Sequence, residues 1–443
     1  MGQRSQVTAR RSTGCCIPIG NTPPPLFTRA TRHPRRRWVD AGGLSNVSRP
    51  LLNVSKRGAT RRAMTAWNVA IVGAGPGGAA AAVTLGQLGI KNVVLLDREG
   101  FPRDKTCGSG LSPNALKLVE QLGIAAKVRE LGHAINTVRI VTPGGRELKV
   151  SSDAAAIVLL RRHFDHLLVE RAQALGVTLR TPFRADTLIE EDGRVVGVKS
   201  FDGEALRAKY VLFADGAHSI FSQDPRPRRS IATLMGWWED FPSAPHTLDM
   251  IFDKDVSPLY GWMFPETDNR VNIGICVDGQ DEDGNKSTRN LRAIFEGFLE
   301  RHYGTQLKRA KQVGKWKGHP IVYTNWVGHM TRPGGLYLGE AARITHNATG
   351  EGISQAMESG IFAAEAVAKV LQHGAREEKE WGAYVNRHRK RFTSSFVAGH
   401  ALRAVIASPI LDGVADVYNQ PTVRKLVTRV LGSALAGSSV SSQ

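Results

Sequence analysis

Residues 67–100, WNVAIVGAGPGGAAAAVTLGQLGIKNVVLLDREG, constrain the fold of this 443-residue chain more than any other stretch. Asn68 to Val72 is a short apolar run of the kind buried on both faces of a parallel sheet. Gly73-Ala-Gly75-Pro-Gly77-Gly78 then supplies GxGxxG, the alanine-rich stretch to Leu88 is helix-forming, and Gly89 is a stop. Asn92 to Leu96 is a second buried strand, and Asp97 follows it, 24 residues after Gly73. A lone GxGxxG is weak; here strand, glycine turn, small-residue helix, strand and acid all stand in order. Gly73 permits the tight turn, Gly75 lets backbone approach a pyrophosphate, and Gly78 lets helix and strand pack closely. The helix N-terminus stabilises phosphate charge, and Asp97 is placed to accept from a ribose hydroxyl. The spacing predicts a dinucleotide site on an α/β domain.

Bulk properties exclude several other classes. No apolar run approaches the roughly 18 residues a membrane-crossing helix needs. The net charge of +19 suggests nucleic acid until it is located: thirteen Arg or Lys precede Met64, against Asp40 alone. The remainder shows no RNP, helix-turn-helix or zinc-finger pattern, so no nucleic-acid partner is expected. Residues 1–63 are rich in Arg, Ser, Thr, Pro and Gly without apolar periodicity, and read as a disordered basic extension. Three readings of it stand: an upstream stretch before a working start at Met64, an organellar transit peptide, or a basic interaction arm. Of the four cysteines, Cys15 and Cys16 lie in that extension, and Cys107 and Cys276 have no CxxC partner. Neither disulfides nor a metal site is expected, and a cytoplasmic location fits. The acidic stretch DGQDEDGN (278–285) fails the calcium-loop pattern because Lys286 stands where glycine is required.

Three further stretches bear on which dinucleotide binds. VLFADGAHSIFSQ (211–223) is a buried strand ending in Asp215-Gly216. LYLGEAARITHNATGEGISQAMESGIFAAEAVAKVL (336–371) is another strand, a Gly339-Glu340-Ala turn, and a glycine-led helix starting near Gly350. LLRRHFDHLLVERAQALG (159–176) places Phe164, Leu167, Leu168, Ala172 and Leu175 at helical spacing, with Gly176 as stop. Together with GxGxxG and Asp97, these motifs resemble the flavoprotein group that includes para-hydroxybenzoate hydroxylase, squalene epoxidase and the geranylgeranyl reductases. The resemblance covers Asn68 to about Gly374 in the same order. It implies bound FAD, with NAD(P)H only a transient electron donor, since no second GxGxxG is present. It also implies cofactor contacts at Gly73, Gly75, Gly77, Gly78, Asp97, Arg98, Arg103, Cys107, Gly108, Arg161, Asp215, Gly216, Gly339, Glu340, Gly350, Glu351, Gly352 and Ile353. Two departures from the group's pattern are Glu340, where Asp is usual, and His346-Asn347, where Asp/Asn-Pro is usual.

Between the nucleotide segments the pattern changes to strand alternation. NTVRIVTPGGRELKV (136–150) reads as a hairpin, and Ile231 to Val277 as several short strands forming an antiparallel second layer. In SPLYGWMFPE (257–266), Tyr260, Trp262 and Phe264 fall at period two and share a face. Read alone this is a core stripe or a pocket wall. It is similar to the geranylgeranyl-reductase branch, where such a strand roofs an apolar tunnel over the flavin. FPRDKTCGSGLSP (101–113) is similar to the same branch, and implies Cys107 beside the ring with Arg103 and Lys105 facing phosphate or NAD(P)H. Cys107 and Tyr260 are the candidate proton donors, with an ordered water as rival.

The expected architecture is α/β: a three-layer Rossmann-like FAD-binding domain with a parallel sheet, a second antiparallel-sheet substrate domain, and a C-terminal helical region. The segments are 64–135, 156–225 and 331–375 for the FAD domain, 136–155 for a substrate-sheet hairpin, 226–330 for the substrate domain, and 376–443 for the helices. The implied function is NAD(P)H-linked reduction of C=C bonds in a small apolar, isoprenoid-type substrate. A monooxygenase, a flavin-dependent halogenase and a non-catalytic flavoprotein are the alternatives. Phe396 to Ala436 is weakly amphipathic and suits a tunnel cap, a peripheral membrane contact or a plain surface helix. The sequence sets no oligomeric state.

Overall fold

The computed structural model describes residues 67–418, 420 and 422, apart from 226–227 and 281–283. The chain divides into two units at Thr60/Arg61, and all that follows concerns the second. The basic extension, the middle of the acidic stretch and residues from 423 onward lie outside the described residues.

Two eight-stranded sheets organise the molecule. The first has a parallel centre in the order Gly335–Tyr337, Ala205–Phe213, Trp67–Val72, Val93–Leu96, Thr178–Arg180. Its strands are Val-, Ile- and Leu-rich because helices cover them and neither face meets water. Helix Pro76–Gln87 begins directly after the glycine turn, and its residues 76–85 are all buried. A second long helix, Ile353–His373, crosses it. Helix Arg161–Ala174 turns Phe164, Leu168 and Ala172 fully inward, while Leu167 and Leu175 pack only in part.

The second sheet runs Lys311–Tyr323, Arg229–Glu239, Val271–Asp278, Gly261–Pro265, Thr247–Ile251, His133–Val141, Glu147–Val158 and Gly110–Leu111. All pairings are antiparallel except Thr247–Ile251 with His133–Val141. The hairpin is therefore longer than 136–155, starting at His133 and ending at Val158. The pair Gly110–Leu111 also belongs to this sheet although it follows the nucleotide segment directly. Such a two-residue strand carries too little pattern to be read from sequence.

Alternation gives the second sheet two apolar faces. The outer face packs Trp238, Ile273 and Ile275 against Phe295, Phe298 and Tyr303 of helix Leu291–Leu307. The inner face gathers Ile231, Met235, Trp237, Trp262 and Tyr323. Farther along it, Leu402, Ile406, Leu411 and Tyr418 pack on Ile140, Leu148 and Leu248. Those cover residues come from helices Glu377–Ile406 and Ile410–Val417 and from Tyr418 just after them. Among the described residues no single helix is long and apolar enough to cross a membrane.

Candidate functional site

The glycine turn shows why side chains are excluded from it. Gly73 has φ +98°, and a Cβ there would sit 2.4 Å from the Ala214 carbonyl oxygen. At Gly78 a Cβ would lie 1.9 Å from the Gly73 oxygen. Gly75 differs: among the described residues the nearest atom outside its chain neighbours that a Cβ would meet is Nη2 of Arg161, at 4.0 Å, so this face is open with a guanidinium across it. Gly77 has another task, because a Cβ would meet the Ala356 carbonyl at 3.1 Å where the two long helices cross.

Asp97 is buried and already engaged. Its Oδ2 accepts from Ala74 N at 2.9 Å and from Arg103 at 3.2 Å, and its Oδ1 accepts from Glu99 N at 3.0 Å. Arg103 continues to Asp165 at 3.2 Å, and Asp165 accepts from Arg161 Nε and Nη2 at 2.7 and 2.8 Å. Two carboxylates and two guanidinium groups thus form one buried chain ending above Gly75. Arg161 also reaches the half-buried Cys107 thiol, whose Sγ accepts from Ser109 N at 3.3 Å. Arg98 does not join this group; its side chain is 65% exposed and pairs with its neighbour Glu99.

Next to Arg161 is a second charged group. Lys105 Nζ lies 2.6 Å from His319 Nε2. Burial and then Arg161 lower the Lys105 pKa, and burial and then Lys105 push His319 down to about 4. Glu340 accepts from Val322 N at 3.1 Å, and burial raises its pKa against the pull of Lys105. Gly339 has φ +54° and donates to Ser359 Oγ at 3.0 Å, which fixes the turn to helix Ile353–His373.

The loop before that helix is held from several directions. His346 Nδ1 accepts from Thr349 N at 3.1 Å, and its Nε2 donates to the Ser395 carbonyl at 3.2 Å. Burial pushes this imidazole down to about 4, so it stays neutral in that role. Asn347 Nδ2 donates to the Phe396 carbonyl at 3.1 Å, and Arg403 Nη1 donates to the Asn347 carbonyl at 2.9 Å. His346-Asn347 therefore fixes the loop to the C-terminal helix, replacing the stiffness a proline would give. Gly350 has φ +65° and Gly352 is the helix N-cap without a side-chain cap, so Ile353 opens the helix with its amides free. Glu351 turns inward and ties two helix starts together. Its carboxylate accepts from Ser112 and, at 2.6 Å, from Ser354, and burial raises its pKa.

The aromatic strand faces this loop. Tyr260, Trp262 and Phe264 follow one another along one face, the first pair T-shaped and the second tilted, with ring centroids 6.3 and 6.1 Å apart. Gly108 and Gly110 lie against it, a Cβ at either meeting Phe264 at 3.1 Å. Trp262 Nε1 donates to Asn272 at 2.7 Å. Tyr260 OH donates to the Thr349 carbonyl at 2.5 Å, and burial holds its pKa well above the ordinary tyrosine value. A phenol whose proton already sits on a backbone oxygen is not poised to give it to substrate. Its geometry is that of a clamp on the loop, which corrects the proton-donor role considered above. Tyr260→Phe is expected to cost about 1–2 kcal/mol in denaturant unfolding and to shift the absorbance of the reconstituted cofactor. Turnover should fall far less than the roughly 100-fold expected on loss of a general acid.

These residues fit FAD on structural grounds. Among the described residues Asp215 Oδ1 is buried without a hydrogen-bond partner, and burial lifts its carboxyl to about 6. Beside it Gly216, at φ +80°, has open space where a Cβ would stand. An orphaned acceptor suits a ribityl or ribose hydroxyl, and the uncapped N-termini at Gly75 and Gly352 suit anionic groups. Sequence reading missed Asp165, although it stands four residues after Arg161 on one helix face, and missed His319 and Arg403. The last two lie far from the motifs in the chain and carry no local signal.

Comparison with known proteins agrees. The FAD binding domain family matches residues 66–394. Digeranylgeranylglycerophospholipid reductase 1 of Methanopyrus kandleri is 29% identical over 74% of this chain and 87% of its own length. A geranylgeranyl bacteriochlorophyll reductase-like protein of Thermoplasma acidophilum superposes with a TM-score of 0.67 at 22% identity, covering 82% of this chain and 99% of its own. A flavin-dependent brominase superposes with a TM-score of 0.69 at 21% identity over 84% of this chain and 94% of its own. The last two likenesses establish the fold. With more than half its length matched, the chain belongs to the FAD binding domain family and is an FAD-dependent oxidoreductase.

Proposed function

We propose that this oxidoreductase saturates C=C bonds in an apolar, isoprenoid-type substrate, with NAD(P)H as transient donor. The observation that carries the reading is the aromatic strand packed against the Cys107–Gly110 segment, beside the loop that Tyr260 clamps. The reductase names of the relatives support it over oxygen chemistry. FAD held by these residues and reduced by NAD(P)H would supply the hydride for one alkene carbon, and a proton would have to reach the other. Trp262, Phe264 and Met235 offer hydrocarbon a shaped wall without buried charge on those side chains. Tyr260 and Arg403 fix the loop, Arg161 and the helix starts bind anionic oxygens, and Asp215 accepts from a hydroxyl. Cys107 or an ordered water hands on the proton. Lys105, His218 and His319 support docking of an anionic donor such as NAD(P)H. A cytoplasmic, membrane-peripheral enzyme completes the proposal, supported by the apolar substrate and by exposed Ile410 and Val417 at the end of the helical region.

The test is anaerobic. Full-length FAD-loaded protein is reduced, and geranylgeranyl compounds are added. Flavin reoxidation with a product two hydrogens richer per event is the expected result. Reoxidation only after air enters would replace the reductase with a monooxygenase if the product is hydroxylated or epoxidised, and with a halogenase if it is halogenated.

A further inference from the structure

The stripe of alternating residues does not stop at Phe264. Glu266 is the next position at period two, and it is buried. Its Oε1 accepts from Trp237 Nε1 at 3.2 Å, and Trp237 belongs to the inner face with Trp262. Arg270, across the turn, brings its Nε to 2.9 Å from Glu266 Oε2. The two form an ion pair that is off hydrogen-bonding alignment. A guanidinium carries five N–H donors, so Arg270 has others to offer a second anion. Lys317 adds a second cation, its Nζ lying 5.8 Å from the Trp237 ring centre. The Arg270 side chain is 30% exposed, which leaves this end of the wall open to solute.

Resting on the reductase reading above, we propose that Arg270 and Lys317 bind the anionic phosphate head of a prenyl substrate whose tail runs back along Trp262 towards Tyr260. Arg270 and Lys317 are both cationic donors, and a guanidinium pairs with phosphate oxygens directly. Burial lifts the Glu266 carboxyl to about 7, so its negative charge opposes an anion only weakly near neutral pH. From Tyr260 to Glu266 is six residue steps along and just beyond strand Gly261–Pro265, about 20 Å if extended, the reach of an extended geranylgeranyl chain. Head and reacting end would then be registered at opposite ends of one wall.

The experiment compares geranylgeranyl diphosphate with geranylgeraniol, which has the same tail and no phosphate, on full-length FAD-loaded protein. In Arg270→Gln the ratio of KM values, diphosphate over alcohol, is expected to rise about tenfold or more. Lys317→Gln should raise it less, and Arg270→Lys should restore part of the difference. An unchanged ratio in both glutamine variants overturns the head site while alcohol turnover leaves the reductase standing. If wild type reduces neither compound, the reductase reading falls. Calorimetric binding of the diphosphate to wild type and Arg270→Gln then decides the head site independently: equal affinity overturns it, and about tenfold weaker binding by the variant upholds it.

Discussion

Asp165→Ala is expected to destabilise the protein by roughly 3–5 kcal/mol and to release FAD. Asp165 is wholly buried and takes both Arg161 nitrogens together with Arg103. Removing its carboxylate leaves one guanidinium without a charge partner and the other dependent on Asp97 alone, in a region with little water. Breaking a buried pair from one side costs more than the pair contributes, because the remaining charge stays desolvated. Arg161 would also lose the bidentate hold that keeps it across from Gly75. Asp165→Asn keeps the volume and one acceptor oxygen and should lose less. Denaturant unfolding of the apoprotein separates the stability cost, and FAD titration measures the affinity. A loss below about 1 kcal/mol for alanine would mean that water reaches these groups.

Gly360→Ala is expected to weaken folding by about 1–3 kcal/mol and to lower FAD affinity with it. Helices Pro76–Gln87 and Ile353–His373 cross so closely that a Cβ on Gly360 would lie 2.2 Å from the Gly77 carbonyl oxygen and 3.0 Å from Ala81 N. Both obstacles are backbone, so relief requires the helices to part. Each helix starts at an uncapped glycine facing the cofactor region, and parting them moves both starts. Gly382→Ala is the matched control. It sits in helix Glu377–Ile406 with nothing within 4 Å of the added carbon. There the substitution should stabilise by about 0.5–1 kcal/mol, as expected from helix propensity. Equal behaviour of the two variants in thermal unfolding would show that the crossing yields easily.

Much of the nucleotide half was legible because its signals are local. The strand, glycine turn, helix and second strand up to Asp97 are consecutive, and each step has its own residue chemistry. The alternation of Tyr260, Trp262 and Phe264 likewise gave a shared face. The same period continues to Glu266, a signal that was present and easily passed over because the proline between suggests an ending. Arg98 shows the opposite case. Adjacent to Asp97, it carried the expected chemistry, yet its side chain faces solvent.

Roles were less legible than positions. Tyr260 read as part of the aromatic face, but a phenol can donate to substrate or to a carbonyl, and only the Thr349 oxygen at 2.5 Å shows which partner it has. Glu351 could accept from a ligand or from the protein, and its two serine partners are 239 and 3 residues away. Arg403 joins Asn347 to Asp278 from a helix that had read as surface or cap.

By itself, then, the sequence determined the glycine turn, the buried parallel strands and the aromatic face, since backbone freedom, side-chain volume and strand alternation act between near neighbours. The tertiary structure alone decided which charges meet, which glycine admits a crossing helix, and whose hydroxyl is already spent. Those outcomes depend on distances between segments far apart in the chain, and on burial that removes the water through which each group would otherwise be satisfied.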